Sequence, residues 1–323
     1  MKALSNDKGV IAAAAMDQRG SLKKSIAAAK GVPQDQVSNH MMEEFKVAVS
    51  RVLTPRASAI LLDTEFGLPA AAARSKNAGL LLAYEKTGYD NPLLRTPDLL
   101  PNVSVKRIKD MGADAVKILL YYTPEDSAET NDVKHAFVER VGAECEAYDI
   151  PFFLEFIAYD NKGADEKAIE FAKKKPALVT GSMKEFSKPQ YKVDVLKVEV
   201  PINPVFVQGS SVCKGPYAYT RAEALDLFRA SAAVATKPFI YLSAGVANHV
   251  FIENLTLAGE SGTDYSGVLC GRATWQDGIK VYGEKGVKAL EDWLNTEGVK
   301  NIEAVNAAIA SAKPWYGKAG IAA

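Results

Sequence analysis

What most constrains the fold of this 323-residue chain is a recurring unit, a short unbroken apolar run followed by a stretch with helical periodicity. The runs occupy residues 9–16, 59–62, 79–84, 115–122, 151–157, 195–200, 239–242 and 265–269. Most lack polar alternation, as expected of parallel strands covered on both faces. Between them, Met41, Phe45, Val49 and Val52 share one helical face within 39–54, and Pro55 limits that helix. Thr220-Arg-Ala-Glu223 opens another helix as a capping box, the hydroxyl accepting from a free amide while the Glu reaches back. Eight such alternations predict an α/β chain folded as one (β/α)8 (TIM) barrel over residues 1–323, with an additional helix at about 301–312. An open doubly wound sheet is the competitor. It usually carries a G-x-G-x-x-G turn after its first strand, and here 17–20 reads Asp-Gln-Arg-Gly, so the barrel is preferred.

Composition narrows the function classes. A 48% hydrophobic content is ample for one large core, and a formal net charge of zero recruits neither nucleic acid nor an anionic membrane. Cys145, Cys213 and Cys270 are spaced too irregularly for a disulfide framework or a thiolate metal site. No apolar run reaches the ~18 residues needed to span a bilayer. The N-terminal residues lack the charged-then-apolar layout of a signal peptide. The expectation is a cytoplasmic protein in a reducing compartment, its chemistry confined to a site.

In a barrel, the C-terminal ends of the strands face the active site. Ionisable residues recur there. The first run ends in Asp17-Gln18-Arg19, the second in Asp63-Thr-Glu65 and the third in Glu85-Lys86; the fourth carries Lys117, the fifth Glu155, and the sixth Lys197 and Glu199. Alternation in Lys-Val-Glu puts Lys197 and Glu199 on one face, expected to point inward, with Leu196 and Val198 facing the helices. Burial and a nearby cation, supplied by Lys117, would favour the neutral amine that attacks a ketone. The alternative is a buried ion pair between Lys197 and Glu155 or Glu199. Glu155 lies in Phe-Phe-Leu-Glu-Phe-Ile, where burial is expected to raise its pKa and suit it to carrying protons; the alternative is a structural partner for a lysine.

Ser243-Ala-Gly245 and Gly271-Arg272 end the last two strands, where barrels commonly bind phosphate. Glycines permit close backbone approach and an arginine adds a two-pronged contact, although a tight turn with a surface arginine explains the same dipeptide. His40, His135 and His249 form no ligand-like pair. The sequence offers a lysine for Schiff-base chemistry and no obvious metal cage, so neither metal nor cofactor is expected.

With these residues assembled, the chain closely resembles the class I tagatose-1,6-bisphosphate aldolases of bacterial lactose and galactose catabolism. The matching stretches are MDQRGSLKK, LLDTEFGLPA, GLLLAYEKTGYD, DAVKILLYY, FFLEFIAYD, YKVDVLKVEVP, YLSAGV and GVLCGRATW, in order over nearly the whole length. The resemblance implies that Lys197 is the Schiff-base lysine, Glu155 the proton shuttle and Lys117 a tuning residue. It implies that Asp17 and Gln18 organise the site. Ser243, Gly245, Gly271 and Arg272 would hold one phosphate, with Arg19 a candidate for the other. The implied reaction is reversible cleavage of tagatose 1,6-bisphosphate, and of its fructose epimer, to dihydroxyacetone phosphate and glyceraldehyde 3-phosphate. The partner is then a small sugar bisphosphate, and a homo-oligomer is compatible with it. Two other readings stand beside this one: an aldolase for a sulfonated ketose phosphate, and a sugar-phosphate sensor without turnover. The segment 203–219 departs from the usual family sequence and bears on substrate preference.

Overall fold

The fold is taken from a computed structural model and is described for residues 1–86 and 94–319. Eight parallel strands close on themselves in sequence order: β1 (Ile11–Met16), β2 (Ala59–Asp63), β3 (Gly79–Ala83), β4 (Ala115–Tyr121), β5 (Phe152–Ile157), β6 (Val195–Val198), β7 (Phe239–Leu242) and β8 (Gly267–Cys270). Each strand sits within or across one of the apolar runs, and all eight are buried almost throughout. The eighth is displaced to the end of its run. Its first residue, Gly267 (φ +130°), faces Ile11 across the closing β1–β8 seam, where an added Cβ would lie 2.0 Å from the Ile11 carbonyl oxygen. Only glycine lets the two backbones approach that closely.

Side-chain alternation splits every strand between two cores. Ala12, Ala14, Met16, Ile60, Leu62, Leu154, Leu196 and Tyr241 face the helices. Ile11, Ala13, Leu61, Leu81, Phe153, Ile240 and Leu269 fill the barrel, and Leu4 and Trp315 from the two ends of the chain join them. Helix Asn39–Leu53 buries Met42, Phe45, Val49 and Leu53, a stripe one residue away from the face centre read from the sequence. The Thr220–Glu223 capping box forms as expected, with both reciprocal bonds present. A helix at Val299–Ala308 follows the eight repeats. Among the described residues, no helix is long and apolar enough to cross a membrane. Residues 87–90 of the GLLLAYEKTGYD stretch lie outside the described residues, as do the last four of the chain.

Candidate active site

Strand register assembles the site. Glu155 on β5 stands directly beside Lys197 on β6. Lys117 on β4 stands beside Ala83 on one side and Phe153 on the other, one inward step below Glu85 and Glu155. Its four-carbon stem lifts the ammonium to their level. There Lys117 Nζ lies 2.8 Å from Asp17 Oδ2, 2.9 Å from Glu85 Oε1 and 2.8 Å from Glu155 Oε2. The same Glu155 oxygen is 2.8 Å from Lys197 Nζ. Lys117 is wholly buried, and Lys197 and Glu155 are 3% and 7% exposed, so these contacts act in a weakly screened interior. Asp17, Lys117, Glu155 and Lys197 therefore form one continuous network, drawn from β4, β5, β6 and the loop after β1.

Two expectations are corrected. Burial, the largest influence on Glu155, pushes its pKa up, but Lys117 and Lys197 together outweigh it and hold the carboxyl below its ordinary value. Glu155 is thus ionised, not neutral. The apolar flanks visible in sequence belong to its neighbours on the strand; what its own carboxylate meets is two ammonium groups. Glu199 also departs from the reading. It lies beyond the end of β6, turns outward to Lys175 at 3.1 Å, and accepts from the Ala158 amide at 2.8 Å. It does not share the face of Lys197. The cation expected beside Lys197 is present only at second hand, because Glu155 bridges the two lysines.

The other charges follow from the same contacts. Lys117 keeps its proton well above the usual lysine range. Burial alone would lower its pKa, but Asp17, Glu155 and Glu85 more than compensate. Asp17, raised by burial and lowered more strongly by Lys117 and Lys197, is held far below the carboxylate range. Glu85 goes the other way, since burial raises it further than Lys117 and Arg19 lower it. Glu85 was legible as a strand-end carboxylate but not as a member of this cluster. Its partner choice depends on which strands become neighbours.

Around this network, Gln18 Nε2 donates to Asp17 Oδ1 at 3.2 Å. Arg19 is 5% exposed; it donates to the Glu85 carbonyl at 2.8 Å and reaches Glu65 at 3.4 Å. Among the described residues, Gln18 Oε1, Arg19 Nε and Glu85 Oε2 are buried without a hydrogen-bond partner, three orphaned polar atoms beside the same cluster. Across the barrel mouth, Ser243 is buried at the end of β7, and the next two residues turn left-handed (Ala244 φ +49°, Gly245 φ +75°). The exposed Arg272, first residue of the short helix Arg272–Trp275, lays its guanidinium against Gly245, where an added Cβ would come within 2.5 Å of Cζ. Gly271 is packed against the Ala15 carbonyl, with Gln18 Nε2 just beyond. The structure thus gathers Ser243, Gly245, Gly271 and Arg272 on the β7–β8 side of the mouth and Gln18 and Arg19 on the β1 side. Sequence reading missed Lys46 altogether. Yet it stands inside the buried stripe of its helix, a position where a lysine is anomalous. Among the described residues, no group of three or more His, Cys, Asp or Glu side chains is placed to hold a metal ion.

Comparisons with known proteins give the family. The tagatose 1,6-diphosphate aldolase of Listeria innocua is 53% identical over 322 residues, covering 99% of this chain and 94% of that protein. Tagatose 1,6-diphosphate aldolase 2 of Enterococcus faecalis is 53% identical over 320 residues, covering 98% and 95%. Among solved structures, the fructose-bisphosphate aldolase of Plasmodium falciparum superposes with a TM-score of 0.67 at 15% identity, over 97% of this chain and 93% of that one. That likeness speaks for the barrel alone. Residues 11–277 match the DeoC/LacD family aldolase profile, and with closely related aldolases aligned over almost its whole length, the chain belongs to the DeoC/LacD aldolase family.

Proposed function

We propose that this aldolase is a cytoplasmic, metal-independent class I enzyme that cleaves tagatose 1,6-bisphosphate, and its fructose epimer, through a Schiff base on Lys197. The observation that carries the reading is the Lys197–Glu155–Lys117 contact, a candidate nucleophile within 2.8 Å of an ionised base that a second ammonium holds in place. Glu155 takes the proton that Lys197 must lose before its amine adds to the C2 ketone. It returns that proton to the carbinolamine hydroxyl, which leaves as water and yields the iminium. Glu155 then accepts the C4 hydroxyl proton while the C3–C4 bond breaks. Glyceraldehyde 3-phosphate departs, and the electron pair left on C3 is drawn into an enamine with the lysine nitrogen. Protonation at C3 and hydrolysis release dihydroxyacetone phosphate and regenerate the amine. Lys117 stays charged throughout and fixes Glu155 and Asp17.

The cradle of Ser243, Gly245, Gly271 and Arg272 suits one phosphate. On the opposite side, Gln18 and Arg19 bring buried polar atoms that a phosphorylated polyol would satisfy. The naming of the bacterial relatives supports a ketohexose bisphosphate as substrate. Borohydride added with dihydroxyacetone phosphate is expected to fix one adduct on Lys197, located by peptide mass spectrometry, at a cleavage rate that exhaustive EDTA leaves unchanged. Labelling on Lys117 with Lys197 unmodified overturns the assignment. Activity lost to chelator and restored by a divalent ion overturns the class.

A further inference from the structure

Lys46 takes no part in the chemistry above, yet it is among the most enclosed side chains of the molecule. Its Nζ donates to the Met16 carbonyl at 2.7 Å and the Gln18 carbonyl at 2.8 Å, and lies 2.6 Å from Asp63 Oδ2. The two carbonyls take two of the ammonium's protons, and the Asp63 carboxylate balances its charge. The two carbonyls belong to the residues immediately before and after Asp17. The Asp63 Oδ1 atom accepts the amides of Glu65 at 3.0 Å and Phe66 at 2.7 Å, so the same pair also shapes the loop whose Glu65 reaches Arg19. Burial pushes the Lys46 ammonium below its ordinary range against the pull of Asp63, and a buried ion pair is often no more stable than an apolar replacement of its size. Stability alone therefore gives little reason for a lysine here. Its contacts give a better one.

We propose that Lys46 is a positioning residue: by pinning the backbone on both sides of Asp17, it sets that carboxylate against Lys117 and so orders the Lys117–Glu155–Lys197 chain. The inference rests on the proposed aldolase reading for its kinetic consequence, and on geometry alone for its structural one.

Lys46→Met by itself would strand the Asp63 carboxylate and destabilise the protein whatever its role, so the informative variant is Lys46→Met/Asp63→Asn. It removes both charges while the Asn oxygen still accepts the loop amides. Its melting temperature is expected to stay close to wild type, and borohydride trapping on Lys197 to persist. kcat is expected to fall about 10- to 100-fold with KM little changed, the scale of a misplacement near 1 Å. A stable double variant with kcat like wild type overturns the proposal. A crystal structure provides an arm independent of turnover: Asp17 Oδ2 should leave hydrogen-bond range of Lys117 Nζ, and a retained contact overturns the proposal even if the wild type fails to cleave the bisphosphate, a result that would count against the aldolase reading alone. Lys46→Gln/Asp63→Asn, also free of both charges, serves if the first double variant does not fold. Its shorter amide cannot reach both carbonyls, so kcat should again fall with KM little changed, and a folded variant with wild-type kcat overturns the proposal.

Discussion

The barrel interior holds two layers that differ by a single step along the same strands. In the lower layer, Ala83, Phe153 and Val195 pack with Ile11, Leu61, Leu81, Ile240 and Leu269 into an apolar plug. One inward step higher on β5 and β6 stand Glu155 and Lys197, and just past the end of β3 stands Glu85; Lys117 reaches up to join them and Asp17. The lower layer asks only for shape and volume, so each member is largely interchangeable in chemistry. The upper layer asks for partners. Each charge is tolerated because others neutralise it, and removing one strands the rest. On the proposed reading, the chemistry is confined to the upper of the two layers, one pleat above the apolar plug.

Breaking the upper layer should give the largest kinetic effect. Glu155→Gln keeps the shape and removes proton transfer, and kcat is expected to fall by about 10²–10⁴-fold with KM little changed. Steady-state kinetics would check this; a variant turning over like wild type would reduce Glu155 to a spacer between lysines. The same variant tests the charge balance by acid titration. Glu155 and Asp17 both bind protons less readily in the folded protein than in the unfolded chain. Their stabilisation is therefore complete above the ordinary carboxylate value of about 4 and is lost as pH falls through their folded values. Glu85, shifted upward, costs stability as pH rises above that ordinary value. Melting temperature against pH should accordingly show a shallower acid limb in Glu155→Gln than in wild type.

The rim above the charged layer should give a smaller effect of a different kind. On the proposed reading, Arg272→Ala removes a charged contact to phosphate shared by ground and transition states, so the loss should appear in KM, by about 10- to 150-fold for an interaction of roughly 1.5–3 kcal/mol. Substrates lacking that phosphate should not distinguish the variant from wild type. A fall in kcat at constant KM would instead put Arg272 in the chemical step. The smallest kinetic effect belongs to the lower layer. Leu61→Ala should cost about 2–5 kcal/mol of stability, read by denaturant melts, while the surviving folded enzyme keeps its kcat and KM. A loss of kcat there would show that the two layers are not separable.

Several parts of this molecule were legible from residues alone. The eight runs announce a parallel closed sheet because a strand covered on both faces has no room for polar alternation. Lys117, Glu155 and Lys197 stood out because ionisable residues are rare in such runs. Glu199 misled the reading: alternation was extended past Val198, where the strand ends and the chain turns toward Lys175. Lys46 went unnoticed because a lysine in an amphipathic helix passes for a surface residue unless its place in the stripe is counted against the helical period.

The sequence by itself determined the fold class and which residues could carry charge into the barrel, because these follow from local periods of 2 and 3.6 residues along the chain. Tertiary structure alone decided the ionisation of Glu155 and Glu85, the bridge between two lysines and the bracket around Asp17. Each depends on distances between side chains contributed by different strands and helices. In a weakly screened interior those distances decide the sign of every pKa shift, and no local pattern of residues encodes them.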